Sequence, residues 1–137
     1  MEQTNEPNTT IFGIHLLLDG YRGAESKLAD RTNLHMTLEQ LVVQLQMNKI
    51  TDPVVVKVGP NNKKDPGGLS GFVLIAESHI SIHTFPKRGF VSIDIYTCQD
   101  TLETETVETT VRSCFDIQIV ESTVLQRGRK YPTKNIY

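Results

Sequence analysis

The period of the apolar positions changes several times along the chain, and each change marks an element. After the polar opening MEQTNEPNTT, the run FGIHLLL begins at Phe12 and suits a strand closing at the Asp19-Gly20 turn signal. Residues 1–10 are expected to be flexible, and residues 11–137 to form one domain. Leu34, Leu38, Leu41, Val42 and Leu45 fall at intervals of four, three, one and three, which puts them on one face of a helix with Glu39 and Gln40 outside. Thr37 with Gln40 three residues later resembles a capping box, so the helix start could slip to Thr37. Pro53 closes the helix and opens VVVKV, a β-branched run that predicts a strand.

The stretch NNKKDPGGLSG is too polar and too rich in Gly, Pro and Asn for a periodic element and predicts a mobile loop. GFVLIA, residues 71–76, is a continuous apolar run suited to a buried strand, and ISIHTF after Ser78 continues in extended form. FVSIDIYT sets Phe90, Ser92, Asp94 and Tyr96 against Val91, Ile93, Ile95 and Thr97, the pattern of a strand with two unlike faces. Asp100 and Glu103 resemble a helix start, with Leu102, Val107 and Val111 as an imperfect stripe. FDIQIVESTVLQRG returns to alternation as a last strand, and the basic RGRKYPTKNIY follows as a tail. Strands joined sometimes by a helix and sometimes by a short turn predict an α+β fold, a two-layer sandwich of a largely antiparallel sheet with helices on one face.

Charge narrows the partners. Fourteen Lys and Arg stand against sixteen Asp and Glu in 137 residues, a net charge of -2 without long blocks of either sign, so nucleic acid and membrane surfaces are not expected and a small molecule is. The N-terminus lacks a basic and apolar leader and no apolar run approaches a membrane span of roughly 18 residues, which predicts a cytoplasmic protein. Cys98 and Cys114 are expected as free thiols. No CxxC, HExxH, GxGxxG or GxxxxGK[ST] occurs, so neither a metal centre nor a glycine-rich phosphate cradle is expected.

The chemistry concentrates in residues 69–100. Glu77-Ser78 lies between two extended runs, His83 follows Ser78 by five residues and Cys98 by twenty. On neighbouring strands these could supply a nucleophile, a base and a proton donor. Spacing alone fits equally well a sheet with a surface hydroxyl, a satisfied histidine and a buried thiol.

The segment Glu77, Ser78, His79, Ile82, His83, Thr84, followed by Tyr96, Thr97, Cys98, resembles the ESHxxIHT and Y/F-T-C segments of the bacterial and archaeal S-adenosylmethionine decarboxylases. Ser70-Gly71, the opening GIHLLLDGY and the late QRGRKY extend the resemblance from Gly13 to Tyr131. It implies a precursor that cleaves itself between Glu77 and Ser78 into a β chain, 1–77, and an α chain, 78–137, headed by a covalent pyruvoyl group derived from Ser78. It further implies that Ser78 attacks the Glu77 carbonyl, that Ser70 holds that carbonyl, and that His83 removes the α-proton. Cys98 would return a proton to the decarboxylated carbon, with the pyruvoyl carbonyls acting as the electron sink. A homodimer of αβ protomers, with active sites between them, and a role in polyamine biosynthesis are implied as well.

The resemblance weakens where the family reads W-P-E and this chain reads Phe85-Pro86-Lys87, and where Lys64 stands two residues before Pro66 in place of an aromatic. Phe85 can still stack on a base, but Lys87 cannot accept hydrogen bonds from ribose hydroxyls. S-adenosylmethionine is the expected substrate, with arginine or ornithine as the alternative for the same chemistry. A non-catalytic partner subunit is a third reading, and the intact Ser78, His83 and Cys98 argue against it.

Overall fold

A computed structural model describes residues 8–61 and 64–137. Its elements in chain order are β1 (Thr9–Thr10), β2 (Gly13–Tyr21), α1 (Glu25–Leu28), α2 (Arg31–Gln44), β3 (Val54–Val58), β4 (Gly68–Ile75) and β5 (Ser78–Phe85). A 3-10 turn (Pro86–Arg88), β6 (Phe90–Thr97), α3 (Thr104–Phe115), β7 (Ile119–Arg127) and β8 (Tyr131–Pro132) complete the chain. Six strands form one antiparallel sheet in the order β3-β4-β5-β6-β2-β7. This is the two-layer α+β sandwich that the pattern predicts.

Alternation decides which face the helices cover. Leu16 and Leu18 of β2, Leu69, Val73 and Ile75 of β4, Ile80 and Ile82 of β5, and Val91, Ile93 and Ile95 of β6 are buried. They meet Leu34, Leu38 and Leu41 of α2 and Val107, Val111 and Phe115 of α3 in one core. Each such side chain stabilises the fold by about 1.5–3 kcal/mol relative to exposure. The residues between them, among them His15, Leu17, Ser70, Phe72, Ser81, His83, Asp94 and Tyr96, stand on the other face of the sheet, which no helix of the described residues covers.

Several boundaries differ from expectation, each for a physical reason. The helix starts at Arg31, because the Asp30 side chain accepts the Asn33 N–H at 3.2 Å as the N-cap. Thr37 lies inside the helix and its hydroxyl donates to the Asn33 carbonyl at 2.8 Å. The four-residue α1 has no periodic signal, and only Leu28 in it is buried. GLSG belongs to β4 rather than to the preceding loop. At the other end of the chain, Phe115 closes α3 and Asp116, at a φ of 52°, turns the chain into β7. The flexible segment expected at 1–10 falls mostly on residues 1–7, outside the described residues, whereas Thr9 and Thr10 pair with Pro132 and Tyr131 of the supposed tail.

Asp19-Gly20 is not a turn either: β2 runs through it to Tyr21. A Cβ at Gly20 would lie 2.8 Å from Val91 Cγ1 and 3.0 Å from Ile117 Cγ2, so the glycine serves close packing. Gly20→Ala is expected to cost about 1–3 kcal/mol through overpacking, read as a lower urea midpoint with an unchanged m-value.

Candidate active site

The β4–β5 hairpin carries the candidate cleavage point. Ile75 pairs with Ser78, leaving Ala76 and Glu77 as a two-residue turn. Glu77 has a φ of 63°, a left-handed conformation that costs a residue with a Cβ about 1–2 kcal/mol. The peptide bond between Glu77 and Ser78 is therefore held in a strained turn between two ladders. The Cys98 N–H donates to Ser78 Oγ at 3.2 Å, which joins the end of β6 to the start of β5. Gly13 of β2 admits this approach, since a Cβ there would collide with the Thr97 carbonyl oxygen and lie 3.0 Å from Cys98 Cα. Glu77, Ser78, Cys98 and Gln99 line a cleft of about 290 Å³, closed on the helix side by Gln46 and Met47.

Ser70 and His83 form a second cluster. They are cross-strand partners on β4 and β5, and Ser70 Oγ and His83 Nδ1 share a 2.8 Å hydrogen bond. Both line a pocket of about 90 Å³ together with Phe85. Phe85 stacks obliquely on Phe90 at 5.4 Å, and Phe90 on Tyr21 at 5.4 Å, forming an aromatic file of which the sequence singled out only Phe85. The Tyr21 phenol is pushed up to about 12 by its hydrogen bond to Glu121, so it stays protonated. Lys87, on the 3-10 turn, lines an adjacent cleft of about 440 Å³ with Glu25, Arg31 and Lys57. The two spaces share Val58, Gly68 and Leu69 as a wall. Arg31 and Lys57 carried no motif in the sequence and enter the picture only through the fold.

The structure thus brings Ser78 to Cys98 and Ser70 to His83, but it keeps the two pairs apart. Ser78 shares the strand parity of the buried Ile80, Ile82 and Thr84, and His83 that of the open-face Ser81 and Phe85. Five residues of extended chain separate Ser78 from His83, roughly 17 Å. A nucleophile, base and proton donor assembled on neighbouring strands of one chain is therefore not what the fold provides.

With this geometry in hand, the chain was compared with known proteins. Residues 14–128 match the S-adenosylmethionine decarboxylase family. An S-adenosylmethionine decarboxylase proenzyme of Archaeoglobus fulgidus is 34% identical over 119 residues, covering 86% of this chain and 99% of that protein. Another, from Thermoplasma volcanium, is 40% identical over 89 residues, 64% of this chain and 62% of the relative. The crystal structure of the adenosylmethionine decarboxylase from Aquifex aeolicus superposes with a TM-score of 0.75 at 27% identity, over 92% of this chain and 98% of that one.

Proposed function

Because the chain belongs to the S-adenosylmethionine decarboxylase family, we propose that it is a proenzyme that cuts itself between Glu77 and Ser78 and then decarboxylates S-adenosylmethionine for polyamine synthesis. The observation that carries this reading is the placing of Ser78. Its hydroxyl is fixed by the Cys98 N–H directly after a residue in a strained left-handed turn. In the reaction, Ser78 Oγ adds to the Glu77 carbonyl carbon and the peptide nitrogen departs, leaving an ester and relieving the turn. A base then takes the Ser78 α-proton and the Glu77 carboxylate leaves. Water replaces the nitrogen as ammonia, and the α chain begins with a pyruvoyl group. The residues fit this group, since Ser78 opens a strand beside a cleft that can admit a small molecule.

Once formed, the pyruvoyl group supplies conjugated carbonyls that accept the electrons released with carbon dioxide. The other steps fall to side chains. Cys98, which lines the same cleft as Ser78, delivers a proton from its thiol to the product carbon. Ser70 steadies the scissile carbonyl and Phe85 stacks on the base of the substrate.

His83 is the base, and the separation from Ser78 within one chain requires that it come from a second copy. The open face supports such a pairing, because Leu17, Phe72, Leu74 and Leu125 are 37–48% exposed on the same face of the sheet as His83 and Ser70. In the assembly we propose, the partner's Ser70 and the partner's His83 reach each Ser78 at the exposed end of the β4–β5 hairpin. Each active site then contains residues of both protomers, and the enzyme is a homodimer.

Ser78→Ala is expected to give one 15.4 kDa band on a denaturing gel and no carbon dioxide from S-adenosylmethionine. The wild type should give pieces of about 8.7 and 6.7 kDa, the mass divided between 77 and 60 residues; two bands from the alanine variant would end the reading. His83→Ala alone should stay uncut, but co-expressed with Ser78→Ala it should be cut in about half of its copies, the fraction that random pairing places beside an intact histidine. Absence of cutting in co-purified mixed dimers would refute a base from the second copy.

Lys87 governs how well S-adenosylmethionine is used. With Arg31 and Lys57 it gives its cleft three cations against the one carboxylate of Glu25, a poor neighbourhood for a sulfonium and one without a ribose acceptor at position 87. Lys87→Glu is expected to raise kcat/KM for S-adenosylmethionine about tenfold, one charge-assisted hydrogen bond, measured beside arginine and ornithine at equal processing. A decrease would place Lys87 outside the ribose site.

A further inference from the structure

The open face carries a polar array that the reaction described above does not use. His15 of β2 is bonded through Nε2 to Asp94 Oδ1 of β6 at 3.0 Å, and Arg127 Nη1 of β7 lies 3.3 Å from His15 Nδ1. A guanidinium only donates, so Nδ1 of His15 must be the acceptor. The single ring proton is then on Nε2 and points to Asp94. The three residues form a directed chain, Arg127 to His15 to Asp94. His15 is 18% exposed in its side chain, which makes this more than a solvated surface pair.

The array grips Tyr96. The Arg127 guanidinium stands over the Tyr96 ring at 4.9 Å from its centre, while His15 at 6.1 Å, His79 at 5.7 Å and Phe12 at 6.2 Å enclose the ring. Phe12 in turn packs on Tyr131 at 4.9 Å. Tyr96 is paired with His79, the residue after Ser78, and lies two residues before Cys98, whose N–H holds Ser78 Oγ. Arg127 pairs with Gly13, the residue packed against the Thr97–Cys98 backbone. Arg127 and Tyr96 therefore bear on the strand ends that present Ser78, and Asp94 bears on them through His15.

We infer that Arg127, His15 and Asp94 are positioning residues that hold Tyr96, and through it the Cys98 N–H, in the geometry that presents Ser78 for self-cleavage. The titratable and charged groups facing His15 are Asp94 and Tyr96 from β6 and Arg127 from β7, with His79 of β5 across the Tyr96 ring. The inference rests on the self-cleaving reading, and its test separates the two.

The ring nitrogens of His15 are read by nitrogen-15 NMR on the uncut Ser78→Ala precursor, and cleavage rates are followed in chains with Ser78 intact. The expected spectrum shows a bare Nδ1 and a protonated Nε2. His15→Ala should slow cleavage about tenfold, the loss of one charge-assisted contact, without changing where the chain is cut. His15→Asn, whose Oδ1 can accept from Arg127 near the place of Nδ1, should recover most of the rate. If His15→Ala does not fold, Arg127→Met, which keeps an unbranched stem over Tyr96, should show the same slowing. A protonated Nδ1, or wild-type cleavage in a folded His15→Ala or Arg127→Met chain, overturns the array. A wild type that never cuts itself overturns instead the function on which the array depends.

Discussion

Strand β5 is bonded on both sides, to β4 and to β6, and its register fixes nearly everything of functional interest. Ile80, Ile82 and Thr84 point under the helices, and Thr84 is pinned twice: its hydroxyl donates to the Leu28 carbonyl at 2.8 Å and accepts the Leu69 N–H at 3.1 Å. A slip of one residue would bury His79, Ser81 and His83 and expose two isoleucines, a change of many kcal/mol against a total stability of only about 5–15. That constraint puts His83 opposite Ser70, Ser78 opposite Ile75 and Tyr96 opposite His79 without any help from the functional groups themselves. The apolar half of the strand positions the polar half.

Legibility in the sequence followed the strength of the local signal. Strand β6 was readable to the residue, Phe90–Thr97, because its alternation is unbroken and Gly89, at a φ of 62°, marks its start. Asp19-Gly20 misled because a turn signal and a packing glycine are the same letters, and only the approach of Val91 and Ile117 tells them apart. The start of α2 was missed because Asp30 caps a turn whose first residues are polar. For the site, the motif identified Ser78, His83 and Cys98 but did not locate them relative to one another. Five residues look close in a line of text, yet on a strand an odd separation means opposite faces as well as distance. Arg31 and Lys57 lie at positions with no pattern of their own, and His15 and Arg127 lie in the matching segments GIHLLLDGY and QRGRKY without a sign of their contact; all four meet their neighbours only through strand pairing and cleft formation.

The division of the site has a kinetic consequence. If the base comes from a second copy, a lone chain holds its strained Glu77 turn and its fixed Ser78 hydroxyl without completing the reaction. Self-cleavage is then coupled to assembly by mass action. The same open face would serve both ends, since its exposed Phe72 and Leu74 lie on the strand that carries Ser70. The Arg127–His15–Asp94 array lies on that face too, so pairing would withdraw it further from water and strengthen its polar contacts.

Chemistry and substrate choice are carried by different parts of this fold, which is why one can be intact while the other has shifted. In the proposed reaction, cleavage and protonation would depend on the hairpin, the Cys98 N–H and the β4–β5 register, all held by backbone pairing that a surface substitution leaves alone. Substrate fit would instead depend on the rim beyond Phe85, where the 3-10 turn and the end of β3 offer Lys87 and Lys57 beside Arg31. In a chain with net charge -2 this local excess of cations is a property of the cleft and not of the whole molecule. A unit positive charge about 6 Å from one of them meets a repulsion of about 0.7 kcal/mol in water-like surroundings and about 3 kcal/mol at an effective dielectric of 20. Closing a second protomer over the rim moves the site from the first regime toward the second. On that reading the cost of a cationic ligand group would grow with assembly, and the rim residues would discriminate most strongly in the paired state.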